Sequence, residues 1–331
     1  MINREKVAIV GLVDGPEAQA GIGVAACLEA EHFIRFGVLG HRNESGAMRP
    51  GLVDHTLLLP PVADPGFGVA LGKVVQAKGI QYFLPGSTTA ANTLSRASAA
   101  LNSMGAVAIA PNDRALEKAR KVGTQTLAKN AGIRPVDLWP APLMATDPLL
   151  VGLGSNPMLL IGDNGEYRRA GDAWEAIRAR ESLAKNCDTI SMAACSPKEF
   201  FEVALLLDFS SNTRAACCVR VLADDNNARP WMITSIENKI LLDQAMRFAR
   251  ATQLSGPLRL NFTRRGHLFY LVDWQPGFPI WIEITHAEGP DMVPLSLQDA
   301  LAGATPDCTP ANLLFTQTAE DFAFNPRGIS K

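Results

Sequence analysis

The chain has 331 residues, of which 47% are hydrophobic and 19% are charged, and its formal net charge at pH 7 is -2. Single hydrophobic cores stop growing at roughly 250–300 residues, so this composition predicts a globular protein of two or three domains and excludes a disordered chain. The small net charge, without any run of Lys or Arg, gives no reason to expect a nucleic-acid partner.

No stretch reaches the roughly 20 apolar residues that span a bilayer, so no membrane partner is expected. The first residues, MINREKVAIVGLV, are followed by Asp14, Gly15 and Pro16, which favours a buried strand over a cleaved signal peptide. We therefore expect a cytoplasmic protein with reduced thiols. The 6 cysteines show no CxxC spacing, so we interpret them as buried thiols and not as a zinc or redox site.

Short apolar runs alternate with helix-like stretches over the first third of the chain. Strands are predicted at 6–13, 34–40, 55–60, 80–86 and 106–111, and helices at 16–33, 66–78 and 88–104. This alternation predicts a parallel sheet covered on both faces, and therefore the α/β class. The pair Gly21 and Gly23 lacks a full GxGxxG pattern, so it indicates close helix packing and not a dinucleotide site.

The pattern changes after Pro111. A long helix is predicted at 113–132, and the Pro-rich stretch that ends near Ser155 is expected to be a connector. Successive strands without intervening helices then indicate an antiparallel sheet, and so a second domain of α+β type. The predicted elements of this part are strands at 157–163, 188–195, 199–209, 213–223 and 229–236, helices at 172–185 and 239–253, a hairpin over 258–274, an amphipathic segment at 296–303 and a C-terminal tail.

Four segments resemble the ATP-grasp superfamily, and they are spread over nearly the whole chain: 84–94, 121–137, 156–170 and 256–282. The run QPGFPIWI at 275–282 is the most specific of the matches, and the resemblance is to the carbamoyl-phosphate-synthase-like branch of carboxylate-amine ligases. It implies a Rossmann-like pre-ATP-grasp domain over 1–115, a small lobe with its connector over 116–195, and a large lobe with a C-terminal tail over 196–331. It also implies that nucleotide binds between the lobes, with ATP and Mg²⁺ as cofactors of an active enzyme.

The resemblance assigns site residues position by position, and most positions depart from the family pattern. The family's phosphate-binding lysine of the small lobe falls on Ile161, and its acyl-phosphate arginine falls on Gly277. Its three metal ligands, Glu, Glu and Asn, fall on Asn261, Asp273 and Gln275. What remains of the pattern is the lysine at Lys121 and the carboxylate at Asp273.

These departures matter because phosphoryl transfer depends on positive charge and on Mg²⁺, which requires hard oxygen ligands. One carboxylate, on Asp273, beside two amides makes a poor magnesium site. Arg168 or Arg169 could partly replace the missing lysine, the alternative being that both lie on a polar hairpin tip. Lys121 could contact phosphate or could be a solvated residue of an amphipathic helix.

Two functions of different class follow. The first is a catalytically degenerate pseudo-ligase that needs no cofactor and binds a small-molecule carboxylate or a partner protein. The alternative is an active ATP-dependent ligase that joins a carboxylate to an amine through an acyl phosphate, with Lys121, Arg168, Asp273 and Glu283 in altered roles. A single electrostatic group of this kind is often worth about 3–4 kcal/mol, so the replacement of four of the five family groups favours the pseudo-ligase. Since relatives are often dimers, a second copy of the chain is also a candidate partner.

Overall fold

The computed structural model describes residues 4–11, 18–39, 51–62, 64–153, 157–162, 167–185, 187–194, 199–224, 230–288, 290–299 and 314–316. These residues form three sheets, one parallel and two antiparallel, with helices packed against each of them. Within the described ranges, no helix is long and apolar enough to cross a membrane. Four cysteines of these ranges, Cys27, Cys187, Cys217 and Cys218, are buried thiols, as expected.

The N-terminal sheet is parallel and has the strand order β3-β2-β1-β4-β5. Its central strand, β1, is enclosed so completely that Val7, Ala8, Ile9 and Val10 have no exposed surface, which is why the strand is a continuous apolar run. The predicted α/β part is therefore confirmed. Its elements are β1 (Glu5–Val10), α1 (Ala18–Ala26), β2 (Phe33–Leu39), β3 (His55–Leu58), α2 (Phe67–Lys78), β4 (Tyr82–Pro85), α3 (Thr88–Ser103) and β5 (Val107–Ala108).

Close backbone approach explains two of the glycines around this sheet. A Cβ atom on Gly86, which follows β4, would lie 3.0 Å from both the Cα of Gly21 and the carbonyl oxygen of Val10. A Cβ atom on Gly23 would lie 2.8 Å from a methyl carbon of Ile282, at the far end of the sequence. The close packing predicted for Gly21 and Gly23 is thus confirmed, and it fixes α1 against both β4 and the C-terminal segment.

The helix predicted over 113–132 is two helices, α4 (Asp113–Val122) and α5 (Thr124–Asn130). They are separated by Gly123, whose φ of 79° lies in the left-handed region that favours glycine and ends α4. The break corrects the single-helix prediction. It also turns the chain so that the end of α4 and the start of α5 face the same cleft.

The small sheet is antiparallel and has the strand order β6-β9-β7-β8. Its strands are β6 (Trp139–Pro140), β7 (Met158–Gly162), β8 (Tyr167–Ala170) and β9 (Ile190–Ala194), and its helices are α6 (Pro148–Leu153) and α7 (Ala173–Leu183). The Pro-rich stretch expected to be only a connector therefore contains β6 and α6. Leu150 of α6 is buried in one apolar cluster with Met158 and Leu183, so this stretch packs together with the small sheet and its helices.

The large sheet is antiparallel and has the strand order β14-β13-β10-β11-β12-β15, which confirms the α+β prediction. Residues of β10 alternate between two cores: Val203 and Leu205 pack toward α8, whereas Ala204 and Leu206 pack toward the N-terminal sheet. The elements are β10 (Phe200–Leu207), β11 (Thr213–Asp224), β12 (Pro230–Ser235), α8 (Lys239–Thr252), β13 (Gly256–Arg265), β14 (Leu268–Pro276), α9 (Glu283–Glu288), α10 (Met292–Asp299) and β15 (Leu314–Thr316).

Two expectations fall partly outside the described residues. The amphipathic segment predicted at 296–303 begins earlier in the structure, as α10, and its last residues, from 300 onward, lie outside the described ranges. The predicted C-terminal tail also lies outside them, except for β15. That strand pairs antiparallel with β12 and so extends the large sheet by one strand.

Candidate ligand-binding site

A cleft of about 450 Å³ opens between the first turn of α3, the junction of α4 and α5, the small sheet and β14. Its polar lining comes from short hydroxyl and amide side chains, and its apolar lining comes from the small sheet, β14 and the segment before β6. The polar residues include Thr88, Thr124, Gln125, Thr189 and Ser191, and the apolar ones include Leu138, Ile161, Val272 and Trp274. Two charged side chains, Arg120 and Asp273, belong to the described lining.

Strand register explains why particular side chains share the cleft face of the large sheet. Asn261 of β13 lies directly opposite Asp273 of β14, and Arg259 lies opposite Gln275. Because successive side chains of a strand point to opposite faces, residues two apart along β13 and β14 point the same way. The register of β10 and β13 also places Glu202 beside Asn261, on the same face.

Asp273 accepts hydrogen bonds from two hydroxyl groups. The Tyr167 hydroxyl of β8 donates to Oδ2 over 2.6 Å, and the Thr124 hydroxyl of α5 donates to Oδ1 over 3.4 Å. Asn261 donates in turn from Nδ2 to the Tyr167 oxygen over 2.8 Å. Tyr167 therefore joins the small sheet to two neighbouring strands of the large sheet, β13 and the edge strand β14.

The protonation states agree with these donor and acceptor roles. Burial raises the pKa of Asp273, while the hydrogen bonds from Tyr167 and Thr124 act in the opposite direction. Burial, together with the charge of Asp273, raises the pKa of Tyr167 well above its ordinary value. The Tyr167 phenol thus keeps its proton at neutral pH, and that proton is the one donated to Asp273.

The side chain of Gln275 is also committed to hydrogen bonds. Its Oε1 accepts from the guanidinium of Arg259 and, over 3.3 Å, from the hydroxyl of Thr88. Thr88 begins α3, whose preceding residue, Ser87, caps the helix by accepting from the backbone N–H of Ala90 over 3.0 Å. Gln275 therefore fastens β14 to the start of α3.

The residues present at the implied magnesium site do not fit that ion. Mg²⁺ prefers about six oxygen ligands in octahedral geometry, with carboxylates among those the protein supplies. Here the one carboxylate, Asp273, has a donor on each oxygen, and the amide oxygen of Gln275 has two donors. The Oδ1 atom of Asn261, which is 1% exposed, has no hydrogen-bond partner among the described residues. The described ranges contain no group of three or more His, Cys, Asp or Glu side chains placed to hold a metal ion.

Of the residues that the resemblance assigned to this site, four come together in the structure. Ile161, Asp273 and Gln275 line the cleft, and Asn261 reaches it through Tyr167. Gly277 adopts a φ of 111°, a conformation that strains any side chain, at the position where the resemblance expects an arginine.

Three other assigned residues are not part of the cleft lining. The side chain of Lys121 is 80% exposed and lies 4.0 Å from Glu117 on the same helix. Arg168 donates to the backbone oxygen of Tyr167 over 2.7 Å. Arg169 forms an ion pair with Asp224 of β11, and its guanidinium lies 5.5 Å from the centre of the Phe200 ring. The roles proposed for these three residues stay predictions, although their placement gives them no direct contact with the cleft.

Several residues of this site were not singled out by the sequence. Tyr167 belongs to the segment YRRA, where attention to charge favoured the two arginines that follow it. Arg120 directly precedes the assigned Lys121, and helix geometry turns Arg120, not Lys121, toward the cleft. Thr88, Thr124 and Arg259 lie within the segments 84–94, 121–137 and 256–282. The resemblance assigned them no role, because their contacts join elements that are far apart in the chain.

Comparison with known proteins finds similar solved structures but no similar family or curated sequence. No protein-family model and no curated protein sequence matches the chain. Solved structures do match it over most of its length, among them two biotin carboxylase structures and an L-amino acid ligase. The biotin carboxylase domain of Hydrogenobacter thermophilus 2-oxoglutarate carboxylase, a dimer in complex with MgADP, ADP and bicarbonate, has a TM-score of 0.67 at 14% identity and covers 92% of this chain and 71% of that one.

The other two structures agree with the first. Campylobacter jejuni biotin carboxylase, in a β-γ-ATP complex, has a TM-score of 0.66 at 12% identity, over 93% of this chain and 74% of that one. The L-amino acid ligase of Bacillus licheniformis has a TM-score of 0.63 at 13% identity, over 92% of this chain and 76% of that one. At these identities the likeness shows the fold, which is an ATP-grasp fold of the biotin carboxylase type.

Proposed function

We propose that this chain, which has the ATP-grasp fold, is a pseudo-ligase of the carboxylate-amine ligase lineage that binds a small molecule in its cleft without transferring a phosphoryl group. The observation that carries the proposal is the position of Tyr167. Its hydroxyl lies against Asp273 and Asn261, two of the three residues at implied metal-ligand positions. Hydrogen bonds between the small and large sheets therefore occupy two of the side chains that the resemblance assigns to a metal ion.

The phosphate end of the cleft supports the same conclusion. Ile161, at the position of the family's phosphate-binding lysine, lies in the cleft lining and contributes an apolar surface there. Among the described lining residues the only cation is Arg120, in the last turn of α4. Because phosphoryl transfer relies on positive groups aimed at the developing charge, each worth about 3–4 kcal/mol, their loss removes most of the catalytic power.

The shape of the cleft favours a small molecule over a partner protein. Ligand pockets of about 300–1,000 Å³ with an apolar lining and a few polar groups are typical small-molecule sites, and this cleft of about 450 Å³ has that character. A small carboxylate is the proposed ligand, with neither ATP nor Mg²⁺ as a cofactor. We propose in addition a cytoplasmic location, the three-part division at residues 1–115, 116–195 and 196–331, and a homodimer, which size-exclusion chromatography would test.

The test is isothermal titration of ATP with and without Mg²⁺, combined with a phosphate-release assay. We expect Mg²⁺ to leave ATP affinity unchanged, because each oxygen of Asp273, the one carboxylate at the implied site, already accepts a hydrogen bond that a bound ion would have to displace. We also expect no phosphate release above background with candidate carboxylates and amines. Turnover near 1 s⁻¹, within the usual enzyme range, would refute the pseudo-ligase and favour the alternative, an active ATP-dependent ligase.

A further inference from the structure

We propose that Arg120, oriented by Asn92 and backed by Arg96, anchors the anionic group of the cleft's ligand, and that this ligand is a small, singly charged anion with an apolar body. The inference rests on the proposed function, because it specifies the ligand of the same cleft. It concerns a part of the cleft wall that the implied nucleotide-site residues do not include.

Arg120 and Arg96 are held by one asparagine. Arg120, in the last turn of α4, lines the cleft and donates from its guanidinium to Oδ1 of Asn92 over 2.6 Å. Arg96 lies one turn further along α3, and its Nε donates to the backbone oxygen of Asn92 over 3.4 Å. The two guanidiniums are thus brought together by residues from two different helices, with Arg120 on the cleft side.

The positive charge of this pair is not neutralised within the described structure. None of the described carboxylates forms an ion pair with Arg96 or Arg120. Arg120 is an exposed residue of the cleft wall. Partial desolvation there and the charge of Arg96 lower the pKa of Arg120, and the charge of Asp113 acts against them. Arg35, Arg169, Arg247 and Arg264, by contrast, each form an ion pair with a carboxylate.

Two like charges placed side by side cost free energy, which a bound anion offsets. A guanidinium also binds oxyanions through two parallel hydrogen bonds to two of their oxygens, so Arg120 suits a carboxylate or a sulfonate. The pair is therefore arranged to bind an anion at the N-terminal side of the cleft.

The rest of the lining restricts the charge and the body of that anion. Asp273 is the only carboxylate in the described lining, and it repels a ligand that carries several negative charges. A single guanidinium, that of Arg120, reaches the cleft, which matches one negative charge. Leu138, Ile161 and Val272 offer an apolar surface to the body of the ligand.

Four probes with the same ring test the ligand class: benzoate and benzenesulfonate as monoanions, benzamide as a neutral analogue, and phenyl phosphate as a dianion. Titration calorimetry on the full chain should show that at least one monoanion binds tenfold or more tightly than benzamide. Comparing the affinities of benzoate and benzenesulfonate distinguishes a carboxylate ligand from a sulfonate ligand. Phenyl phosphate should gain no more than a few-fold over the better monoanion, since Asp273 opposes its second charge.

Variants test the residues. Arg120→Gln should weaken binding of the better monoanion at least tenfold, as expected for a lost charge-assisted hydrogen bond, while leaving benzamide unaffected. Asn92→Ala should weaken it by a smaller factor, because Asn92 only positions Arg120, and Arg120→Lys should restore part of the affinity lost in Arg120→Gln. Arg114→Gln is the matched control, since Arg114 is an exposed arginine of the same helix outside the cleft lining.

Three outcomes would overturn the inference: equal affinity for benzoate and benzamide, unchanged affinity in folded Arg120→Gln, or no probe with a Kd below about 10 mM. A dianion bound more than tenfold tighter than both monoanions would overturn the claim of a single charge. None of these results bears on Mg-ATP binding or phosphate release, so a failure here is distinguishable from a failure of the proposed function.

Discussion

Tyr167 and Asp273 meet across the cleft, with 2.6 Å between the phenol oxygen and Oδ2, although they lie 106 residues apart in the chain. Tyr167 belongs to the edge strand of the small sheet and Asp273 to the edge strand of the large sheet. This hydrogen bond fixes one sheet against the other. It also uses the only carboxylate at the three implied metal-ligand positions.

Tyr167→Phe should lower the free energy of unfolding by about 1–3 kcal/mol, because Oδ2 of Asp273 and Nδ2 of Asn261 both lose their partner in a buried environment. Chemical denaturation measures this change. The matched control is Tyr270→Phe on β14, whose hydroxyl forms no side-chain hydrogen bond with any residue of the described ranges, and a change within about 0.5 kcal/mol is expected. Equal effects in the two variants would show that the Tyr167 contact contributes nothing to stability.

Restoring the implied metal site should require the removal of Tyr167. The combination Ile161→Lys, Asn261→Glu and Gln275→Asn adds a cation at the phosphate end and a second carboxylate beside Asp273. With Tyr167→Ser added, the affinity for ATP in the presence of Mg²⁺ should rise at least tenfold, or about 1.4 kcal/mol, measured by titration calorimetry. The same triple change with Tyr167 kept is the control.

In that control, Tyr167 continues to donate to Asp273, so we expect no gain that depends on Mg²⁺. A quadruple variant that is folded by circular dichroism and still shows no gain in ATP affinity with Mg²⁺ would contradict the positions assigned to Ile161, Asn261 and Gln275. A gain in the control that matches the quadruple variant would contradict the role given to Tyr167.

Gly86→Ala should destabilise the N-terminal sheet, because the added methyl group would lie 3.0 Å from backbone atoms of Val10 and Gly21, which cannot rotate away. Overpacking of this kind costs about 1–3 kcal/mol. Gly68→Ala is the control, since Gly68 lies in α2 and, its own helix backbone and chain neighbours aside, no atom of the described residues lies within 4 Å of the new methyl group. Thermal unfolding should show a lower Tm for the first variant and an unchanged or higher Tm for the second.

The pH dependence of stability should contain a contribution from Asp54. Burial acts to raise the pKa of Asp54, but hydrogen bonds from the backbone and side chain of Arg35, with the charges of Arg35 and Arg4, outweigh it and lower the pKa. A carboxylate whose pKa is lower in the folded state binds fewer protons there. Its contribution is therefore present at neutral pH and is lost as the pH falls below about 4, through the folded-state pKa.

Asp54→Asn tests this contribution. At pH 7 the variant should unfold at a lower denaturant concentration than the wild type, because the charged contacts with Arg35 and Arg4 are lost. The difference between the two proteins should shrink as the pH falls from about 5 to about 3. A difference that stays constant over this range would mean that the charge of Asp54 does not contribute.

The sequence by itself determined the order and type of most elements. Apolar runs that are buried on both faces, such as residues 7–10 of β1 and residues 203–207 of β10, are continuous and therefore visible without a structure. The motif segments likewise predicted the ATP-grasp fold and placed Ile161, Asp273 and Gln275 at one cleft. Both kinds of signal are local, because strand burial and motif spacing are encoded in neighbouring residues.

Tertiary structure alone decided which side chains face the cleft and what each contacts. The left-handed backbone at Gly123 divides one predicted helix into two, and the exposed side of α4 carries Lys121 while Arg120 lines the cleft. The pairing of Tyr167 with Asp273 depends on how the small sheet packs against the large one. Contacts between residues so far apart in sequence leave no periodic or compositional pattern, which is the physical reason that only the folded chain reveals them.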